Sequence, residues 1–171
     1  FYIEARPELG YVPIGKSEVY QKGYSLESLR DLELKKLTTE QSRILPVIKA
    51  IKPLGIPISV DTMNAQTAVL AIEAGASIIN DVSGGLADPN MFRVAAETGA
   101  QIVISHWRGH STSMDDLANY EDVARDVAAE ISEQISIARA NSVSPEKIIV
   151  DPGLGFAKNL TQNWELVARL N

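Results

Sequence analysis

Four short apolar runs of the sequence each end on side chains that can hydrogen-bond a ligand. The runs are "IPISVDT" (56–62), "ASIINDVSGG" (76–85), "AQIVISHW" (100–107) and "KIIVDPG" (147–153). The polar or aromatic residues at their ends are Asp61, Asn80 with Asp81, the group Ser105, His106 and Trp107, and Asp151. A carboxylate at the end of a buried run lowers stability unless a donor is hydrogen-bonded to it. The pattern therefore raises the question of what these groups bind.

Each of these polar groups also has an ordinary structural interpretation. An aspartate after a strand, such as Asp61, commonly caps the next helix. Asn80 or Asp81 can bond to local backbone in a turn, and Asp151 before a proline also favours a turn. His106 can be a core histidine whose hydrogen bonds are satisfied. Taken one at a time, the residues do not establish a site.

Taken together, the strand-end groups favour a binding site. Ligands of parallel α/β folds lie at the carboxyl ends of the strands, where residues distant in sequence converge. Asp61, Asn80 and Asp151 offer planar acceptors and one amide donor, which suit a flat heterocycle with amino and ring N–H groups. Trp107 and Phe156 can supply apolar walls. Helix capping alone does not predict that three separate strands each end on a carboxylate or an amide.

Two other site types are disfavoured by the spacing of the residues. The only two histidines, His106 and His110, lie four apart in "HWRGH". They follow a strand and enclose a glycine, which does not suit a helical zinc site. The stretch "DPGLGF" lacks the three glycines of the dinucleotide-binding fingerprint.

The bulk composition is that of an ordinary globular domain. The chain has 171 residues, of which 45% are hydrophobic and 22% charged, and these numbers favour a single domain over 1–171. The net charge of −6 and the pI of about 4.9 argue against a nucleic-acid partner. No apolar run is long enough for a membrane helix, and the N-terminus does not resemble a signal peptide. The absence of cysteine excludes disulfides and thiolate metal sites, and we expect a cytoplasmic location.

The elements that must position these groups alternate along the chain. The four apolar runs predict buried parallel strands, covered on both faces because they show no in/out alternation. Helical patterns occupy 64–75, 88–99 and 120–141, with Gly75 and Gly99 as stop signals. This βαβ order predicts a parallel sheet, and periodicity leaves open whether it is doubly wound or a closed barrel.

The first part of the chain has a different character. The stretch 38–51 predicts a helix with Thr38 and Gln41 at capping-box spacing, bent or broken at Pro46. The polar stretch 8–37 predicts an insertion or loop with a short helix. The sequence begins without methionine, so we expect it to start within a longer protein.

The motifs "ISVDT", "IINDVSGG", "HWR" and "DPGLGFAK" resemble those of dihydropteroate synthase in order and spacing. The resemblance runs from about residue 38 to the end, and "RILPVIKAI" resembles the helix before the first motif. It implies a parallel (β/α) barrel of the TIM type. It also implies a transferase of folate biosynthesis, the sulfonamide target. That enzyme joins 6-hydroxymethyl-7,8-dihydropterin diphosphate to p-aminobenzoate and releases diphosphate.

The resemblance also implies roles for individual residues. Asp61, Asn80 and Asp151 match the pterin-binding set, with Asp151 at the aminopyrimidine edge and Asn80 at another ring edge. Asp61 is in addition the catalytic candidate, because it bonds the reduced ring and helps to stabilise charge as diphosphate leaves. The further candidates for substrate binding are Arg6, His106, Phe156 and Lys158, of which Phe156 is placed near p-aminobenzoate. Magnesium is the implied cofactor, the substrates are the implied partners, and a homodimer is expected.

The sequence departs from the family pattern in several places. A TIM barrel needs about 250 residues, so we expect an incomplete barrel with about half of the strands. The family's Asn ligand for magnesium is absent, as are its later pterin-binding Lys and its final Arg-x-His. Glu4, Arg6 and Pro7 echo a second-strand motif in which Ala5 replaces threonine, and Ser105 replaces a methionine. We therefore expect the isolated chain to have little or no activity.

The alternatives are a non-catalytic pterin-binding paralogue and a methyltransferase that handles methyl-tetrahydrofolate. The absent Lys and Arg-x-His fit the first. The second shares the fold and pocket but lacks the "DPGLGFAK" form. A generic open-sheet binding domain would require the match of four ordered motifs to be fortuitous.

Overall fold

The computed structural model describes residues 2–4 and 37–170, and a single parallel sheet runs through them. Its five strands are β1 (Tyr2–Glu4), β2 (Ser59–Asp61), β3 (Ile78–Asp81), β4 (Gln101–Ser105) and β5 (Ile148–Asp151). The order in the sheet is the order along the chain, and every neighbouring pair is parallel. The four predicted strands are confirmed, and β1 is added at one edge.

Five helices accompany the strands in the described part of the chain. They are α1 (Thr39–Ile51), α2 (Ala65–Ala74), α3 (Met91–Thr98), α4 (Val123–Ala140) and α5 (Leu160–Ala168). Short 3₁₀ turns lie at Lys52–Leu54, Met114–Leu117 and Pro145–Lys147. No described helix combines the length and the apolar character needed to cross a bilayer.

The sheet has one covered face and one open face. Val60, Ile79, Ile102 and Ile104 are completely buried, and they pack with residues of α1, α2 and α3 in two core clusters. The alternate residues of β2 and β3 are only partly buried. The prediction that the strands are covered on both faces is therefore wrong for the described residues. Helices cover one side, and the other side carries the polar strand ends.

The strand order resolves the choice between the two α/β architectures. A doubly wound sheet reverses its strand order at a switch point and carries helices on both faces. Here the order β1-β2-β3-β4-β5 never reverses, and the residues that pack against the helices share one face. This is the arrangement of successive βα units in a TIM-type barrel, which has eight strands when complete. The described sheet is an incomplete barrel of this type, as predicted.

Side-chain caps mark the starts of the first two helices, and the capping box of α1 is confirmed. Thr38 and Gln41 form the reciprocal capping box of α1, and Asn64 caps α2 by accepting from the Thr67 backbone N–H. Gly75 and Gly99 end α2 and α3 as expected. Of the two predicted effects of Pro46, a bend or a break, the break is excluded because α1 continues through this residue.

The predicted insertion lies almost entirely outside the described residues, and one predicted site residue lies outside them as well. Residues 8–36 of the predicted insertion (8–37) lie outside them, as does Arg6. The echoed motif "EARPELG" begins at Glu4, the last residue of β1, whose backbone pairs in register with Asp61.

Candidate functional site

Asp61 and Asn80 form a directly opposed pair on the open face of the sheet. They are register partners at the carboxyl ends of β2 and β3. The Asn80 side-chain Nδ2 donates to Asp61 Oδ2 at 3.2 Å, and both side chains are partly exposed. The structure thus joins the first two predicted site residues in one hydrogen-bonded unit.

The backbone beside this pair is anchored by hydroxyl groups. Thr62 Oγ1 donates to Glu40 Oε1 at 2.8 Å, and Thr67 Oγ1 donates to Glu40 Oε2 at 2.9 Å. Both hydroxyls thus tie the segment after β2 to the first turn of α1. The residue that caps α2 is Asn64, so the interpretation of Asp61 as a helix cap is wrong. The Asp61 carboxylate lies at the end of β2 instead.

The Asp81 side chain points to the helix-covered face of the sheet, where it stabilises the turn that follows β3. Its carboxylate accepts from the Ser83 backbone N–H, the Ser83 hydroxyl and the Gly85 backbone N–H, at 2.9, 2.6 and 2.8 Å. The side chain is fully buried, and this burial raises the pKa of its carboxyl group. The turn interpretation is thus confirmed for Asp81, whereas Asn80 turns towards Asp61.

Asp151 is held at the end of β5 by two donors. Asp151 Oδ1 accepts from the Gly153 backbone N–H at 2.8 Å, and Oδ2 accepts from the Ser105 hydroxyl at 3.0 Å. Gly153 has a φ of 65°, and a Cβ there would lie 2.2 Å from the His106 carbonyl oxygen. The chain from Asp151 to Lys158, here called the Asp151 loop, therefore needs glycine where it passes β4.

The buried ammonium group of Lys158 closes the Asp151 loop. Its Nζ donates to the carbonyl oxygens of Gly153 and Phe156 at 2.9 and 3.0 Å and lies 2.9 Å from His106 Nδ1. Three acceptors match the three N–H groups of a charged lysine. Burial is the main cause that lowers the pKa of Lys158, to about 8, and the nearby Arg108 lowers it further.

His106 links Lys158 to helix α4. Its ring is buried, and Nε2 lies 2.9 Å from Glu130 Oε2. Burial and the Lys158 charge lower the pKa of His106, so its imidazole is neutral at pH 7. Because Nδ1 faces an ammonium donor and Nε2 faces a carboxylate, the proton resides on Nε2.

Arg108 and Tyr120 complete this charged network. Arg108 Nε and Nη2 both donate to the Glu130 carboxylate, and its guanidinium carbon lies 3.8 Å from the centre of the Tyr120 ring. The Tyr120 hydroxyl donates to the Ala157 carbonyl oxygen at 2.9 Å. The segment just before α4 thus also contacts the Asp151 loop.

The other predicted residues lie around the strand ends. Phe156 and Trp107 are partly buried, and Trp107 packs edge-on against His110 with ring centres 5.1 Å apart. Both ring nitrogens of His106 face protein partners, and the described residues contain no cluster of three metal-ligating side chains. Roles of His106, Phe156 and Lys158 in substrate binding stay predictions.

A cleft of about 280 Å³ lies beside the end of β4, next to α4. Its lining residues are Leu86, Ser105, His106, Trp107, Arg108, Glu130, Ile131, Glu133 and Gln134. It shares Ser105, His106, Arg108 and Glu130 with the contacts described above but includes none of Asp61, Asn80 and Asp151. The side-chain chemistry, rather than the size of this cleft, therefore identifies the candidate site.

Sequence reasoning missed two partners of the site. Glu130 lies in the amphipathic pattern of α4 like any other polar residue, and nothing in its spacing marks it as the partner of His106 and Arg108. Ser105 was predicted as a strand-end group and as the residue that replaces a methionine, but its bond to Asp151 was not foreseen. The register of β4 and β5, which pairs Ser105 with Asp151, is the structural information that the sequence lacks.

Comparison with known proteins places this geometry in a family. Residues 30–171 match the family described as "Pterin binding enzyme". The dihydropteroate synthase of Mycobacterium leprae is 44% identical over 132 residues, which cover 77% of this chain and 46% of that protein.

Two solved structures resemble the fold. Dihydropteroate synthase from Thermus thermophilus in complex with 6HMPPP superimposes with a TM-score of 0.72 at 38% identity, covering 77% of this chain and 51% of that one. The Xanthomonas albilineans enzyme with 4-aminobenzoic acid gives a TM-score of 0.70 at 32% identity, covering 77% and 46%. The chain thus spans about half the length of these relatives.

Proposed function

Because the chain belongs to the pterin binding enzyme family, we propose that it is the central part of a dihydropteroate synthase. In this proposal the whole protein is a transferase of folate biosynthesis. It joins 6-hydroxymethyl-7,8-dihydropterin diphosphate to p-aminobenzoate and releases diphosphate. The observation that carries the proposal is the placement of Asp61, Asn80 and Asp151 at the carboxyl ends of three strands of one parallel sheet.

The three side chains divide the recognition of the pterin. Asp151 accepts from the amino and ring N–H groups of the aminopyrimidine edge, since both its oxygens retain acceptor capacity beside Gly153 and Ser105. Asn80 offers its amide oxygen and second N–H to another ring edge. Asp61 bonds the reduced ring. A flat, polar ring with several donors is the ligand that such a set recognises.

The reaction follows from that placement. The bond between the exocyclic carbon and the diphosphate oxygen breaks, and the dihydropterin ring and the Asp61 carboxylate stabilise the developing positive charge. The lone pair of the p-aminobenzoate nitrogen then forms the new C–N bond, and that nitrogen loses a proton. Phe156, on the Asp151 loop, lies on the p-aminobenzoate side. The enzyme acts through positioning and electrostatics.

Magnesium, a homodimer and a cytoplasmic location remain proposals. The described residues offer no ready set of three metal ligands, so no step above is assigned to a metal ion. A titration of activity with Mg²⁺, made on a longer form that restores the remaining barrel strands, tests the first proposal. Sedimentation velocity and subcellular fractionation test the other two.

A paired binding and turnover experiment tests the function. The chain is titrated with 6-hydroxymethyl-7,8-dihydropterin and then incubated with both substrates, and dihydropteroate is measured by chromatography. Saturable pterin binding that Asp151→Asn weakens, with little turnover by the 171-residue chain, is the expected result. If a longer form that restores the remaining barrel strands binds pterin without turnover, the non-catalytic paralogue is the correct function. Absence of pterin binding by both forms would overturn the proposal.

A further inference from the structure

The Asp151 loop ends on a buried cation. Lys158 is 7% exposed and lies seven residues after Asp151. Its ammonium group spans the loop by bonding to the carbonyl oxygens of Gly153 and Phe156. Gly153 in turn donates its N–H to the Asp151 carboxylate. A short path of hydrogen bonds thus joins Lys158 to the predicted pterin-binding group.

The His106 ring is the acceptor for the third N–H group of the Lys158 ammonium. The Lys158 Nζ to His106 Nδ1 distance is 2.9 Å, and the Glu130 contact at Nε2 holds the ring in the tautomer that leaves Nδ1 as an acceptor. The His106 backbone N–H also donates to the Asp151 carbonyl oxygen at 2.9 Å. The imidazole therefore braces the loop from the side of β4 and α4.

We propose that Lys158, braced by His106 and Glu130, is a positioning residue that sets the Asp151 loop and thereby aims the Asp151 carboxylate at the ligand. This inference rests on the proposed function for the identity of the ligand, a pterin. It assigns Lys158 an action through the loop, with its three N–H groups directed at protein acceptors and none left for the substrate.

The proposal implies a dependence on the protonation of Lys158. A neutral amine has two N–H groups and cannot serve three acceptors. The ionisable groups around it are His106 and Arg108 from the β4 side, Glu130 from α4 and Asp151 from β5, with Tyr120 on the adjoining carbonyl. Lys158 itself titrates near pH 8. A local opening that moves the Gly153 and Phe156 carbonyls away but leaves Lys158 buried removes two acceptors of the ammonium group. Protonated Lys158 therefore favours the closed loop over this opening, and loop order declines above that pH.

Amide hydrogen exchange of the full chain tests the proposal without any ligand. The reporters are the N–H groups of Gly153, Gly155 and Phe156, which are bonded to Asp151, Asn163 and the Gly153 carbonyl. After correction for the intrinsic rate at each pH, protection in the wild-type chain is expected to fall about tenfold as Lys158 loses its proton. Lys158→Met should show the low protection at every pH. Lys49→Met, at an exposed lysine of α1, is the matched control.

Two substitutions of His106 separate positioning from general stability. The Asn side chain places its oxygen near the position of Nδ1, where it can accept from Lys158. The Gln side chain reaches the position of Nε2 instead, where it can donate to Glu130. We expect His106→Gln to lose about tenfold more loop protection and pterin affinity than His106→Asn at equal melting temperature. Equal losses in the two variants would overturn the proposal.

The outcomes distinguish this inference from the proposed function. Full loop protection in Lys158→Met, or a wild-type profile that is flat from pH 7 to about 9.5, overturns the positioning role even if pterin binds. A loop that responds as expected in a chain that binds no pterin supports the positioning of Asp151 and overturns the proposed ligand. The wild-type titration requires no variant, so the test survives if a substituted chain fails to fold.

Discussion

The Asp61 carboxylate accepts from a side-chain amide on the neighbouring strand, whereas the Asp151 carboxylate stands on a loop held by a buried ammonium group. The Asn80 amide donates to Asp61, and next to this pair the hydroxyls of Thr62 and Thr67 donate to Glu40. Beside Asp151, Lys158 closes the loop. Two regions of one site thus hold the same functional group by different means.

This difference has a physical consequence. Amide and hydroxyl donors do not titrate in the ordinary pH range, whereas burial brings the pKa of Lys158 down to about 8. The region around Asp61 should therefore keep its geometry across that range. The Asp151 loop should be the part of the site that responds to pH and to a change of charge.

The largest expected effect comes from closing the space beside Gly153. In Gly153→Ala the new Cβ would lie 2.2 Å from the His106 carbonyl oxygen, and φ is positive. Because the obstacle is backbone, the loop must move, and we expect a loss of about 4 kcal/mol in the free energy of unfolding. Chemical denaturation measures it.

Gly155→Ala is the matched control for that substitution. Gly155 also has a positive φ, but a Cβ there would meet nothing within 4 Å. We expect a loss of only about 1 kcal/mol, from the backbone conformation alone. Equal losses in the two variants would show that the approach to His106 does not constrain the loop.

The second-largest effect is expected when the Asp151 carboxylate, the proposed acceptor for the pterin, is replaced. Asp151→Asn keeps the size of the side chain but replaces one acceptor oxygen with a donor, which opposes the donors of the pterin edge. We expect pterin affinity to fall about 100-fold, a loss typical of a charged hydrogen bond. Isothermal titration calorimetry measures it, with Asp116→Asn on the exposed loop after β4 as the control. A loss below about threefold would place the pterin elsewhere.

Much of the framework was predictable because its signals are local. Short β-branched runs predicted β2 to β5, and caps such as Thr38 and Asn64 set the starts of α1 and α2. The carboxyl-end rule brought Asp61 and Asn80 together before the register was known. The helix α5 was not predicted, although Asn159 and Gln162 form a capping box at its start.

The supporting contacts were not predictable because they join distant segments. Lys158 was a candidate for substrate binding, and only the folded loop shows that its three N–H groups face Gly153, Phe156 and His106. Glu130 lies 24 residues from His106 in sequence. A single sequence carries no signal for such pairs, whereas periodicity and caps act within a few residues.

A third prediction follows from the lowered pKa of Lys158. Between the folded pKa of about 8 and the unfolded value of 10.5, the unfolded chain binds more protons at this residue. The contribution of Lys158 to the free energy of unfolding therefore rises with pH in this window. Relative to Lys158→Met, the wild-type chain should gain about 1–2 kcal/mol from pH 8 to about pH 9.5.

The measurement is a series of denaturation curves for both chains in that pH range, and titrations common to the two cancel in the difference. Global unfolding exposes the Lys158 ammonium group to water, so its deprotonation raises the free energy of unfolding. The local opening of the Asp151 loop leaves Lys158 buried and only breaks its bonds to the loop carbonyls, so the two measurements change in opposite directions with pH. A difference that is constant with pH would contradict the assignment of the titration to Lys158.

The smallest effect is expected in the region around Asp61, when Glu40 loses its charge but keeps its size. In Glu40→Gln the amide oxygen still accepts from one threonine hydroxyl, and the other hydroxyl can rotate to accept from the amide N–H. Both contacts thus persist, and we expect a change below about 0.5 kcal/mol in the free energy of unfolding. Thermal denaturation at pH 7 measures it. A loss above about 2 kcal/mol would mean that the Asp61 region also depends on a buried charge. Both regions would then depend on a charged side chain, and they would differ only in its sign, negative for Glu40 and positive for Lys158.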